Sequence, residues 1–145
     1  LEDFKKSMNL EPVHFIKLPI VKRLKQDHVL EPENILNYYD YPATDRGMVY
    51  PKTFVLDISN LPPLHDFFGT SHATILVIEN RDMFMDGDNV IVQTVNGEIY
   101  LGESKFLGGK LLIENKYGPN NKVLTLSRIR YVGRLVSAIR EIEKS

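Results

Sequence analysis

The sequence predicts a mainly β domain, built from antiparallel strands and hairpins with little helix. Three stretches carry this reading. "DNVIVQTVNGEIYLGES" (88–104) sets two alternating apolar segments either side of Asn96-Gly97, the dipeptide best suited to the positive φ angles of a tight hairpin turn. "ESKFLGGKLLIEN" (103–115) repeats the arrangement around Gly108-Gly109, and "ENKYGPNNKVLTL" (114–126) reverses again through Gly118, Pro119, Asn120 and Asn121. Together they predict an antiparallel meander.

The remaining elements follow in order. "PVHFIKLPIVKRL" (12–24) is an extended arm whose Pro19 suits an edge position, because proline has no N–H to give to a ladder. "EPENILNYYDYP" (31–42) is either a short helix after Glu31-Pro32 or an irregular stretch that packs Ile35, Tyr38 and Tyr39 inward. Its tyrosines could also form a recognition surface. "TFVLDI" (53–58) and "TILVIEN" (74–80) read as strands, joined by a proline-broken connection containing a helical turn. "RIRYVGRLVSAIREI" (128–142) has Ile129, Tyr131, Leu135 and Ser137 on one parity and Val132, Val136 and Ala138 on the other, the pattern of a strand buried on both faces. Gly133 in its middle predicts a bend or a close backbone approach.

At 145 residues and 43% hydrophobic, the chain suits a single globular domain. Residues 1–26 are expected to be an arm or linker and 27–145 the β-rich body. The lack of cysteine removes disulfides and thiolate metal sites, and fits a reducing cytosol. No apolar run reaches the roughly 18 to 20 residues of a membrane span, so the expectation is a cytoplasmic protein without a membrane partner.

A formal net charge of −1 argues against a domain that neutralises many phosphates. The charge divides unevenly. Residues 1–26 carry six Lys/Arg and three Asp/Glu, 27–88 carry three and eleven, and 89–145 carry nine and five, giving +3, −8 and +4.

Other candidate motifs have ordinary structural readings. Asp86-Gly87-Asp88 is a capped turn before a strand, lacking the further oxygen ligands of a calcium loop. His14, His28, His65 and His72 show no metal-binding spacing. Ser71 beside His72 is an ordinary loop serine, since nucleophile and base assemble in space rather than in sequence. No cofactor and no metal are expected.

The order of motifs is more informative than any one of them: strand "TILVIEN", a Met, "DGD" with a strand, an NG hairpin, a GG hairpin, "LIENKYGPN" and "YVGRLVSAIR". This order resembles the C-terminal domain of the LexA/UmuD family of self-cleaving regulators and phage repressors, most strongly over 75–142. "LPIVKRLKQDHVLEPENILNYYDYP" (18–42) is similar to the family's cleavage-loop segment, whereas 43–74 matches poorly. The resemblance implies a Ser-Met nucleophile after the strand, but the sequence reads Asp82-Met83 there. The lysine base would fall at Gly102, and the Ala-Gly scissile pair at Lys25-Gln26. Nucleophile, base and scissile pair are all altered, so the expectation is a relative that does not cleave itself and has no catalytic residue.

The function so implied is oligomerisation and regulation of a transcriptional repressor whose DNA-binding domain lies upstream. The expected partners are a second copy of the chain, with DNA reached only through the upstream domain, and an antirepressor or other regulatory protein. The expected homodimer interface is Tyr131, Val132, Leu135, Val136 and Ala138, meeting along a strand edge. Two alternatives stand beside it: an active Ser/Lys autopeptidase using Ser104 and Lys105, and a stand-alone module that binds a peptide or protein in the degenerate cleft.

Overall fold

A computed structural model describes residues 15–25, 29–42, 52–61, 63–69, 73–81, 83–116 and 118–140. Ten strands run in chain order: β1 (Phe15–Val21), β2 (Ile35–Pro42), β3 (Thr53–Asp57), β4 (Leu64–Asp66), β5 (Ile75–Glu79), β6 (Asn89–Thr94), β7 (Ile99–Leu107), β8 (Lys110–Glu114), β9 (Lys122–Thr125) and β10 (Ile129–Ile139). They form one mostly antiparallel sheet in the order β2-β1-β3-β5-β10-β6-β7-β8-β9, with β4 parallel to β7. Among the described residues helix is confined to single 3-10 turns, and no helix is long and apolar enough to cross a membrane.

The meander is as its turns predict. Gly97 has φ +88° in the β6–β7 turn and Gly108 has φ +59° in the β7–β8 turn, conformations that a side chain resists. "EPENILNYYDYP" forms neither of its expected structures: one 3-10 turn, Pro32–Asn34, leads directly into β2. Tyr39 packs inward against the core as expected, but Tyr38 is 54% exposed. Pro19 does lie within a strand, yet β2 and not β1 is the outermost strand on that side. β1 pairs with β3 only through Ile20 and Val21, beyond the proline.

Residues 15–25 are not a separable arm. Leu18, Val21 and Leu24 are buried among the strands, so the described part of 1–26 packs on the body as part of one domain. Asn34, itself buried, fastens the following segment. Its Nδ2 donates to the carbonyls of Arg23 (2.9 Å) and Val29 (2.8 Å), and its Oδ1 accepts from the Arg23 N–H (3.2 Å). With Leu24 and Val29 in the main core, each contributing about 1.5–3 kcal/mol by burial, the described ends of the "VKRLKQDHV" segment are docked on the body.

β10 lies inside the sheet. β6 takes one of its edges over Ile129–Arg134 and β5 the other over Arg134–Ile139. Arg130 and Val136 are each an extra residue in the register, so parity does not persist along the strand. Ile129 packs with the second cluster (Val90, Val92, Tyr100, Leu111, Ile113, Leu124) while Tyr131 joins the main core. Val136 packs against a third cluster (Leu18, Tyr41, Val55, Ile75, Val77), whereas Ala138 stands opposite Leu76, a main-core residue. The expected interface is corrected accordingly. Tyr131 (4% exposed) and Leu135 (9%) belong to the chain's own core, Val132 and Val136 are half covered, and Ala138 is exposed.

Candidate functional site

The chemistry that the family resemblance implies would start where β5 ends. β5 is apolar and buried throughout because its two faces pack into different clusters, Leu76 and Ile78 into one and Ile75 and Val77 into the other, while β3 and β10 cover its edges; yet it closes on a carboxylate, Glu79, that is 1% exposed. Register places Thr53 and Arg134 opposite Glu79 on its two neighbours. The Arg81 Nε donates to Glu79 Oε1 at close range, and Arg134 Nη1 lies 3.8 Å from Oε2. Desolvation of a carboxylate is costly unless cations compensate it, and here two guanidiniums do so.

From the opposite face the next residue is clamped as well. The Asn80 N–H donates to the Lys52 carbonyl (2.8 Å), and Asn80 Oδ1 accepts from the Tyr131 hydroxyl. Burial pushes the Tyr131 hydroxyl well above the ordinary phenol pKa. Gly133 makes this contact possible. A Cβ there would lie 2.7 Å from the Tyr131 oxygen and 2.6 Å from Ile78 Cγ2, so the expected close approach is between β10's own tyrosine, β5 and the glycine backbone.

The two key positions of the implied chemistry differ in what surrounds them. Asp82 lies outside the described residues, as do Gln26, Ser71, His14, His28 and His72. Gly102 is walled in, and a side chain there would have to displace its neighbours. A Cβ would fall 2.2 Å from Ile113 Cγ2 and 3.1 Å from the Glu114 carbonyl oxygen. Register also places Glu79, Arg134, Val90 and Gly102 in one row across four strands. At about 4.8 Å per strand, the end of β5 and Gly102 are about 14 Å apart along that row. Lys25 is on the surface, 3.9 Å from Glu31.

The substitute pair does not converge. Ser104 is buried, and its Oγ donates to the Asp88 carbonyl (3.0 Å) beneath the Asp86-Gly87-Asp88 turn, while its N–H donates to the same oxygen (2.8 Å). Lys105 is exposed on the other side of β7. The turn is capped as its sequence predicts. Asp88 Oδ2 accepts from the Met85 N–H (2.8 Å), Asp86 Oδ1 accepts from the Phe106 N–H (2.9 Å), and Gly87 has φ +94°. Among the described residues no cluster of His, Asp or Glu could hold a metal ion.

A second polar cluster, which the sequence reading missed, lies at the β6–β7 hairpin. Parallel pairing of β4 with β7 sets His65 opposite Tyr100, and the rings stack with centroids 4.5 Å apart. The Tyr100 hydroxyl donates to Glu98 Oε2 at 2.5 Å, and His65 Nε2 lies 3.7 Å from the same oxygen. Burial first, and then the hydrogen bond and charge of Glu98, push Tyr100 up to about 12. The only sequence signal was the alternation that puts Glu98 and Tyr100 on one face. Nothing local brought His65 to them. For Glu79 and Arg134 the signal was a charge inside each of two apolar strands, "TILVIEN" and "YVGRLVSAIR". Comparison with models of known protein families and with curated proteins finds no match to this chain.

Proposed function

We propose that the chain is the regulatory and oligomerisation domain of a transcriptional repressor of the LexA/UmuD-like kind, without autoproteolysis, and that it acts in the cytoplasm. The observation that carries the loss of cleavage is the wall at Gly102, where Ile113 and the Glu114 backbone occupy the space a lysine would need. Ser104, held by backbone carbonyls, and the outward Lys105 give the active-peptidase alternative no support. The docking of Leu24 and Val29 supports the likeness of 18–42 to a cleavage segment that lies on its own domain. Such a domain acts by pairing with a second copy, which places two DNA-reading heads on two half-sites. On β10 that leaves Ala138 and the partly covered Val132 and Val136 as available contacts.

Two measurements test the proposal. Mass spectrometry after long incubation near pH 10, where a catalytic lysine loses its proton, is expected to show one intact species. A discrete cut near Lys25 overturns the non-cleaving reading. Sedimentation at tens of micromolar, roughly the range of ordinary interface affinities, is expected to show a dimer, and a monomer removes the oligomerisation role.

A further inference from the structure

We propose that the pocket beside the β6–β7 turn binds a small phosphate monoester carried on a hydroxylated carbon chain. This inference is independent of the repressor reading. The pocket, of about 190 Å³, is bounded by Thr94, Val95, Asn96 and Glu98 of the hairpin, Tyr100 of β7, Lys122 and Leu124 of β9, and Arg128 ahead of β10. Its walls are braced across the sheet. The Val95 N–H donates to the Arg128 carbonyl (2.8 Å), Arg130 Nη2 donates to the Val95 carbonyl (3.3 Å), and the Glu98 N–H donates to Thr94 Oγ1 (3.1 Å). The cavity is therefore held by the fold and does not depend on a loose loop.

Its charges select the ligand. Lys122 Nζ sits 5.5 Å from the centroid of the Tyr100 ring, poised over an aromatic face. Among the described residues neither Lys122 nor Arg128 has an ion-pair partner. The pocket's one carboxylate, Glu98, is already engaged through Oε2 by the Tyr100 hydroxyl, with His65 close by. Lys122 and Arg128, from different elements, stand against one carboxylate in the pocket's lining, a net charge of +1 that favours an anion, and a guanidinium binds phosphate through paired donors. Glu98 and Asn96 at the same pocket supply acceptors for hydroxyl groups. The small volume limits the ligand to about the size of a pentose phosphate, below the usual range for drug-sized ligands.

The test titrates the full chain by calorimetry with ribose 5-phosphate, inorganic phosphate, ribose and a short DNA duplex at one salt concentration. Saturable binding of ribose 5-phosphate, with none of ribose, is expected. Lys122→Ala and Arg128→Ala should each weaken it about tenfold, in line with loss of one charge-assisted contact, while thermal unfolding stays unchanged. Glu98→Gln should weaken ribose 5-phosphate but not inorganic phosphate. The proposal is overturned by the absence of saturable binding up to about 10 mM, a weak limit for a specific site, or by binding that both cation variants leave intact. It is equally overturned if the duplex binds through Lys122 and Arg128 while ribose 5-phosphate does not, since the phosphate would then belong to nucleic acid.

Discussion

The sheet carries two polar clusters built around a glutamate, and they differ in burial and in charge balance. Glu79 is sealed at the end of β5 with a guanidinium on each side, and its neighbour Asn80 is clamped by Tyr131. Glu98 is half exposed at a hairpin, accepts from a tyrosine hydroxyl, and lines a pocket with Lys122 and Arg128, neither of which has an ion-pair partner among the described residues. The first arrangement is closed: every strong group faces another, and an incoming ligand would have to break a desolvated pair. The second is open, because its unpaired charge is on the solvent side. Charge alone therefore does not mark a site.

The largest expected difference is in stability. Glu79→Gln leaves Arg81 and Arg134 without their carboxylate. Breaking a buried pair costs about 3–5 kcal/mol, and because both guanidiniums are about one-third exposed the low end, about 3 kcal/mol, is expected. Glu98→Gln, at a half-exposed site, should change stability by no more than about 0.5 kcal/mol. Denaturant unfolding of the two variants checks this, and equal costs would erase the distinction between closed and open clusters.

A somewhat smaller effect tests the wall at Gly102. Gly102→Ala is expected to destabilise by about 1–3 kcal/mol, the range for overpacking a core. Combining it with Ile113→Ala should cost less than the sum of the two single changes, because they share one space. Strict additivity in the unfolding free energies would show that Ile113 is not the obstacle.

The smallest effect separates the tyrosines of the two regions. Tyr131→Phe removes one hydroxyl bond to Asn80 and should cost about 1 kcal/mol. Both phenols have folded pKa values above the unfolded value of about 10. Their neutral forms thus contribute stability that is fully present below about pH 10 and is lost as pH rises through the folded values. Ultraviolet titration should show two late-ionising tyrosines. Tyr100→Phe should delete the one near 12, and an unchanged curve in that variant contradicts the buried hydroxyl.

Sequence by itself determined the local structure. Alternation marked β6 through β9, and Asn96-Gly97 and Gly108-Gly109 marked their turns, because a two-residue turn and a period of two are properties of neighbouring residues. The glycine at 133 announced a close approach for the same reason: a missing Cβ is legible wherever it stands. The partners were not legible. Alternation says that a strand has two faces but not which strands lie along its edges, so β10 could be read as a free edge when it lies between β5 and β6. The extra residues Arg130 and Val136 then reversed the faces, placing Tyr131 with the main core and separating Val136 from Ala138. The clusters follow the same rule, since Glu79 meets Arg134 and His65 meets Tyr100 only through pairing between distant segments. Those pairings come from closing the sheet as a whole. Only the tertiary structure could decide which glutamate was sealed and which was left facing a pocket.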